Sequence, residues 1–441
     1  MSTETARAHG TLVIVGSGPV GMVSALLLKD RFERVVVLER QSRERFVRTR
    51  GYTFPIVFSP AALSVLDRIG VRTAINRERS PYFGVVVHKR VLGREFTWTA
   101  KRENIHSHWR NHIVASLHEG LLEEGIEVQF EAALEDIDFD GNVCTEAKLG
   151  EIPFDLLLGA DGIHSQTRGL VAAAGATPGE FSSELLDRWY AYRLPAEGPL
   201  GDKYGSGDHG HALHVHTDNL PEFPSDKFRV ITVAMTQPQP EVSVVVKYGA
   251  NLSVERAREL NATFFSSLVD PAVLEEEWNA GVGGEYRHVH APTFHLGSTL
   301  LVGDAAHGFE GNGDLINLGT TSVAALPDLI DSHGDIPSAL ATYDRTVGAS
   351  LRAYSDYAMR RSLEQINLEV AAFEMGAMLR LNPHHPSMWG IYEEDFEICS
   401  YMQRYERERS RIRNRIGALT AALAAAGLYL LFRRRRTKYP A

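Results

Sequence analysis

A chain of 441 residues with 44% apolar content can bury a full core, and its length suits two or three cooperating units, which excludes a disordered chain. The net charge of −10 hides an asymmetry: residues 404–438 carry eleven Arg or Lys against two Glu, a net +9 that leaves about −19 on the rest. An acidic body with a basic tail excludes a nucleic-acid binder and reads as an enzyme with a membrane-facing end. Cys144 and Cys399 form no CxxC pair or ligand spacing, and no signal peptide precedes the first strand. That pattern argues against structural disulfides and zinc, and it points to a catalytic body in a reducing cytoplasm.

In chain order, Thr11 to Val15 reads as a buried strand, a glycine turn follows, and Val20 to Lys29 reads as a helix leading to a second strand at Val35 to Leu38. This is a βαβ opening. Residues 108–124 read as helical and 126–130 as extended, and the segment EIPFDLLLGADG carries a strand into a glycine turn. From about 180 to 290 the chain alternates apolar and polar residues, as in HALHVHTD, FRVITVAM and EVSVVVKY, the character of a sheet with one covered face. After LLVGDAAHG, the chain from Thr321 to about Arg380 reads as mainly helical, with a Pro/His-rich break at NPHHPSMW. No internal repeat is evident.

The tail places the uncharged stretch Ile416 to Phe432 between RIRNR and RRRRTK. Seventeen such residues lie at the short limit for a spanning helix, and the basic flanks permit either a span or an interfacial anchor. A span would turn the four-arginine side toward the cytoplasm.

Gly16, Gly18 and Gly21 form GxGxxG directly after an apolar strand. The first allows the tight turn, the second lets the backbone approach a pyrophosphate, and the third allows close helix packing. Pro19 suits the first helical position, whose amide has no internal partner. Glu39 ends the second strand, where its carboxylate can accept a hydrogen bond from a ribose hydroxyl, and Arg40 beside it joins the candidate cofactor-binding residues. The segment GADGIHSQTR places Asp161 and Gly162 after the strand FDLLL, and Gly303 and Asp304 stand in the later GDAAH segment.

On these three ordered motifs, the sheet-like stretches between them and the basic/apolar tail, the chain resembles the class A flavoprotein monooxygenases. These are the single-component FAD hydroxylases related to p-hydroxybenzoate hydroxylase, and within them the chain is most similar to the kynurenine 3-monooxygenases. The resemblance implies an α/β fold: a Rossmann-like FAD-binding domain, an inserted β-sheet substrate domain, a helical C-terminal region and a C-terminal membrane-associated helix. It suggests FAD-domain segments at 1–75, 106–178 and 293–345, substrate-domain segments at 76–105 and 179–292, a helical region at 346–404 and an anchor at 405–441. It also implies that Asp304 binds the FAD ribitol, that Asp161 and Gly162 serve FAD and a transient nicotinamide, and that Arg110 lies near the FAD phosphate and ribose groups. The implied reaction starts with hydride transfer from NADPH or NADH to FAD, followed by oxygen addition at flavin C4a and transfer of one oxygen atom to substrate. The protein then supplies positioning, electrostatics and exclusion of water. No Ser/His/Asp triad is needed among the eighteen histidines.

Two departures stand out. Where the family has a proline and then GxGxNxG after GDAAH, this chain has GFEGNGDLINLG. Gly313, Asn317 and Gly319 can be matched, Leu315 takes a glycine position, and Glu310 takes the proline position. Glu310 and Asn317 are therefore the candidate catalytic residues, with Glu310 a proton donor if its pKa is raised. The second departure concerns substrate: the kynurenine enzymes carry a carboxylate-gripping arginine where the stretch GVVVHKR has Val85, with His88, Lys89 and Arg90 as candidate replacements. Tyr190, Tyr192 and Arg193, on a strand of the roof domain, are further candidate substrate residues.

The expected function is oxygenation, by hydroxylation or epoxidation, of a small apolar aromatic or prenylated specialised metabolite with O2, by a membrane-associated monomer or homodimer. Kynurenine 3-hydroxylation, isoprenoid reduction and a non-catalytic flavoprotein are the alternatives.

Overall fold

In a computed structural model, residues 9–47, 55–91, 94–175, 181–204, 212–216, 228–236, 241–309, 314–362 and 396–438 are described. The run of apolar residues in strand His9–Val15 forms the centre of a six-stranded sheet, with Leu12, Val13 and Ile14 fully buried. Strand Phe32–Glu39 and then Val128–Phe130 extend it on one side, and Leu156–Gly159 and Thr299–Leu301 on the other, all parallel. The short strand His295–Leu296 adds an antiparallel edge. A parallel sheet needs cover on both faces, which explains the near-continuous apolar runs.

Helix Pro19–Leu28 covers one face, buried almost all round. The other face packs on an antiparallel sheet of Leu134–Asp138, Val143–Glu146 and Gly150–Pro153 through Val13, Val36, Ile137 and Ile152. The expected helix over 108–124 is Arg110–Glu123.

The alternating stretches form an eight-stranded sheet. Its order is Val282–His290, Ser182–Pro195, Glu241–Gly249, Phe228–Thr236, Ala212–His216, Ser80–Val91, Arg94–Trp109 and Pro55–Val57. The last strand precedes residue 76, and Arg94–Trp109 runs beyond 105, so the sheet reaches further into the chain than its alternation suggests. Helices Val254–Phe265 and Pro271–Ala280 cover one face through Leu260, Phe265, Leu274 and Trp278 packed on Tyr192, Val244 and Val246.

After the sheet come helices Asp314–Val323, Leu326–Ser332, Ile336–Tyr343 and Ala349–Ser362. The Pro/His-rich break lies outside the described residues. The turn of π-helix at Asp344–Gly348 is braced by the Asp344 carboxylate, which accepts hydrogen bonds from Thr293 (2.7 Å) and Arg352 (2.6 Å) and pairs with His295 (3.2 Å).

Helix Ile398–Lys438 docks by Tyr401 and Tyr405, whose rings meet Tyr354 and Tyr357 at 5.8 and 4.5 Å. Beyond residue 418 its side chains, Ala421 excepted, lie outside those described. Among the described residues no helix is long and apolar enough to cross a membrane, so the spanning alternative for the tail gains no support.

Candidate active site

Three adjacent strand ends deliver the three motifs to one edge of the parallel sheet, where ligands of open α/β folds bind. Gly16 has φ +101°, and a Cβ there would fall 2.5 Å from the carbonyl oxygen of Ala160, so the first glycine turn and the GADG turn touch backbone to backbone. The amide of Ala160 donates to Val15 (2.8 Å) and that of Val302 to Gly159 (3.0 Å), which fixes all three loops together. A Cβ on Gly21 would collide with the Gly16 carbonyl, so only glycine lets the helix start so close to the strand. Gly18 differs: a Cβ there meets nothing within 4 Å, so this turn presents bare backbone to open space.

Glu39 is 9% exposed. Its carboxylate accepts from the Ser17 amide (3.0 Å), the Ser17 hydroxyl (2.8 Å) and the Gln41 amide (2.9 Å). The acid is thereby aimed along the edge of the glycine turn. Arg40 is exposed beside it.

Asp161 turns inward on its own loop, accepting from Ser165 (2.6 Å) and from the amide of Thr167 (2.9 Å). Gly162, at φ +79°, has open space where a Cβ would stand. Arg168, in the same motif, is 8% exposed, and its contacts leave no signal in the sequence. Its guanidinium donates to the carbonyls of Ala305 (3.0 Å) and Ile163 (2.9 Å), binding the second motif to the third.

In the third motif Gly303 has φ +60° and packs its Cα side on Val20, and Gly319 meets Val20 from helix Asp314–Val323. Asp304 keeps some surface, yet the surrounding protein pushes its carboxyl pKa up, while the Arg110 guanidinium opposes that shift. Asn317 is fully buried; its Oδ1 accepts from the Ser59 amide (2.7 Å) and its Nδ2 donates to the Val57 carbonyl (2.9 Å). Both ends of the amide thus hold the 57–59 backbone. Glu310 and Gly313 lie outside the described residues.

On the roof sheet, strand alternation separates the three candidates of strand Ser182–Pro195. Tyr190 stacks on Trp278 at 4.3 Å and donates its hydroxyl to the Trp278 carbonyl (2.8 Å). Tyr192 is buried, hydrogen-bonded to the Asn261 amide at 2.7 Å, and burial pushes its phenol pKa up. Both sit in the core beneath the two helices, which corrects the expectation that they line a pocket. Arg193 has the opposite parity: it lies over the Trp109 ring at 4.8 Å and pairs with Glu241 at 2.8 Å. Val85 pairs in register with Ala100 and Leu213. His88 belongs to the helix-covered side, hydrogen-bonded to His214 (2.9 Å) and stacked on His216 (4.1 Å), so it is no substitute grip for a carboxylate.

Bare backbone at Gly18, the Glu39 carboxylate beside the glycine turn, and a partly buried Asp304 that feels the Arg110 charge suit a dinucleotide with one pyrophosphate and two polyol arms, and FAD fits them. The comparisons agree. Residues 10–187 match a family model described as an FAD binding domain. The chain is 26% identical to a kynurenine 3-monooxygenase of Emericella nidulans, over 96% of this chain and 93% of that protein. It is also 26% identical to one of Xanthomonas axonopodis pv. citri, over 80% and 79% respectively. Among solved structures, 2-methyl-3-hydroxypyridine-5-carboxylic acid oxygenase shares the fold at a TM-score of 0.63 and 18% identity, covering 82% of this chain and 94% of that one. Tetracycline destructase Tet(51) does so at 0.60 and 17%, covering 85% and 96%. Residues 10–187 thus carry an FAD binding domain match, and the chain is similar over nearly its whole length to the kynurenine 3-monooxygenases.

Proposed function

We propose that the protein uses NADPH or NADH and O2 to hydroxylate or epoxidise a small apolar aromatic or prenylated metabolite, rather than kynurenine itself. The observation that carries this reading is the register line of Val85 with Ala100 and Leu213, an apolar row where the kynurenine enzymes need a cation. The engagement of His88 behind the sheet supports it. The nearly end-to-end likeness to kynurenine 3-monooxygenases keeps kynurenine as the second reading.

FAD held at this edge would supply the hydride-accepting and dioxygen-activating chemistry for transfer of one oxygen atom. In our reading the chain does the rest by binding and orientation. Gly18 admits the pyrophosphate, Glu39 holds a ribose hydroxyl, Asp304 holds the ribitol chain, and Arg110 balances nearby negative charge. Asn317 fixes the 57–59 segment against the helix that follows the third motif. Arg193 contributes to the wall of the substrate pocket from the sheet face opposite Tyr192. Glu310 is retained as a candidate proton donor. The basic helix Ile398–Lys438 holds the body at the cytoplasmic surface of a membrane, as an interfacial anchor.

Stopped-flow reduction by NADPH tests the substrate assignment. Apolar aromatic or prenylated compounds should accelerate flavin reduction and L-kynurenine should not. Acceleration by L-kynurenine alone, with hydroxylated product, would establish the second reading.

A further inference from the structure

Four buried polar atoms are carried by three elements that pack on one another, one of them the helix that begins with Asp304. His307 is 1% exposed, and neither ring nitrogen has a hydrogen-bond partner among the described residues. The same holds for Nε2 of His288 and for the hydroxyl of Ser355, which are also buried. His288 sits on strand Val282–His290, His307 ends helix Asp304–His307, and Ser355 lies on helix Ala349–Ser362.

These three elements pack on one another. The amide of Val289, next to His288, donates to the carbonyl of Gly308, next to His307, at 2.7 Å. The Phe294 ring stands 6.1 Å from the His307 ring and 4.7 Å from the Arg352 guanidinium. Arg352 precedes Ser355 by one helical turn and shares its face. At the outer end, Nε2 of His288 is 3.7 Å from the exposed Asp356 carboxylate, too long for a direct hydrogen bond and a spacing that one bridging water can close.

A marginally stable fold does not leave four such atoms unsatisfied without compensation. We propose that His307, Ser355 and His288 enclose a site for ordered water, running from the back of the Asp304 turn to the Asp356 carboxylate. A buried water typically makes about three hydrogen bonds to otherwise unpaired groups, and these atoms supply that number. Burial holds the His307 pKa down to about 4 and lowers that of His288, so both rings are neutral at pH 7. The His307 ring then offers the water one donor and one acceptor, and Nε2 of His288 offers one or the other according to its tautomer. His307 is thereby a positioning residue: its ring, anchored through water, supports from behind the turn that presents Asp304. Only this last link rests on the FAD reading; the water site stands on protein atoms alone.

A crystal structure of the FAD-bound full chain should show water within hydrogen-bonding distance of His307 and of Ser355 or His288; a dry, closed seam overturns the site. His307→Phe keeps a ring and removes both nitrogens, whereas His307→Gln keeps a donor and an acceptor. The Phe variant should raise the Kd for FAD about 5-fold and shift the flavin absorption spectrum, and the Gln variant should restore both to within about 2-fold of the wild type. An unchanged Kd and spectrum in His307→Phe, or equal losses in both variants, overturns the positioning role. Failure of the wild-type chain to bind FAD would refute the cofactor reading instead, and the crystal structure of the protein alone would still decide the water site.

Discussion

The Glu39 carboxylate accepts hydrogen bonds from both the amide and the hydroxyl of Ser17, at 3.0 and 2.8 Å. The end of the second strand is thereby locked to the glycine turn, and the proposed role of the acid is to hold a ribose hydroxyl. Glu39→Ala should weaken FAD binding about 10- to 100-fold, the range for losing a charge-assisted hydrogen bond. Fluorescence titration of the apoprotein measures it, and an unaltered Kd would remove Glu39 from the site.

Gly16 and Gly18 should respond differently to alanine. At Gly16 the added Cβ meets the Ala160 carbonyl and a positive φ, so Gly16→Ala should lower the melting temperature and expression together. At Gly18 the added Cβ meets no protein atom. Gly18→Ala should therefore stay within about 0.5 kcal/mol of wild-type stability while losing FAD affinity. Denaturation of the apoprotein beside FAD titration separates the two effects.

Tyr192→Phe tests the assignment of that side chain to the covered core. It leaves the buried Asn261 amide short of a partner and should cost about 1–3 kcal/mol of stability. The KM for any turned-over substrate should not move; a selective rise in KM at unchanged stability would return Tyr192 to the pocket.

Asp344 links stability to acid. Burial alone pushes its carboxyl pKa up, but the hydrogen bonds from His295, Arg352 and Thr293 together bring it down to about 2 from an ordinary 3.8. A depressed carboxylate contributes stability that is fully present above the unfolded pKa and is lost as pH falls through the folded one. The contribution, about 2 kcal/mol, should therefore disappear between about pH 4 and pH 2. Asp344→Asn should be less stable at neutral pH, and the gap to wild type should narrow across that window in urea denaturation.

The first βαβ unit, the glycines and Glu39 were legible because a parallel strand and its turn impose a local pattern that survives without tertiary context. The roof sheet was legible as alternation, yet alternation alone does not say which parity faces the helices, and only folding shows that Tyr190 and Tyr192 pack beneath them while Arg193 does not. Asn317 carried a motif match, but its partners, Val57 and Ser59, lie some 260 positions away in the chain and only folding reveals them. Arg168 and His307 stand in the GADGIHSQTR and GDAAH segments. Their roles depend on backbone carbonyls and buried neighbours that no spacing rule specifies. The tail showed its charge and length plainly, and neither property distinguishes a span from an interfacial anchor.

The central claim is oxygen transfer by bound FAD. Purified full-length protein should be incubated under oxygen-18 gas with NADPH and whichever compound most accelerates flavin reduction, and the product should be analysed by mass spectrometry. One heavy oxygen atom from the gas in the product is the predicted result. A reduced product with no heavy oxygen, or NADPH consumption yielding only hydrogen peroxide with every compound that accelerates reduction, would contradict the account.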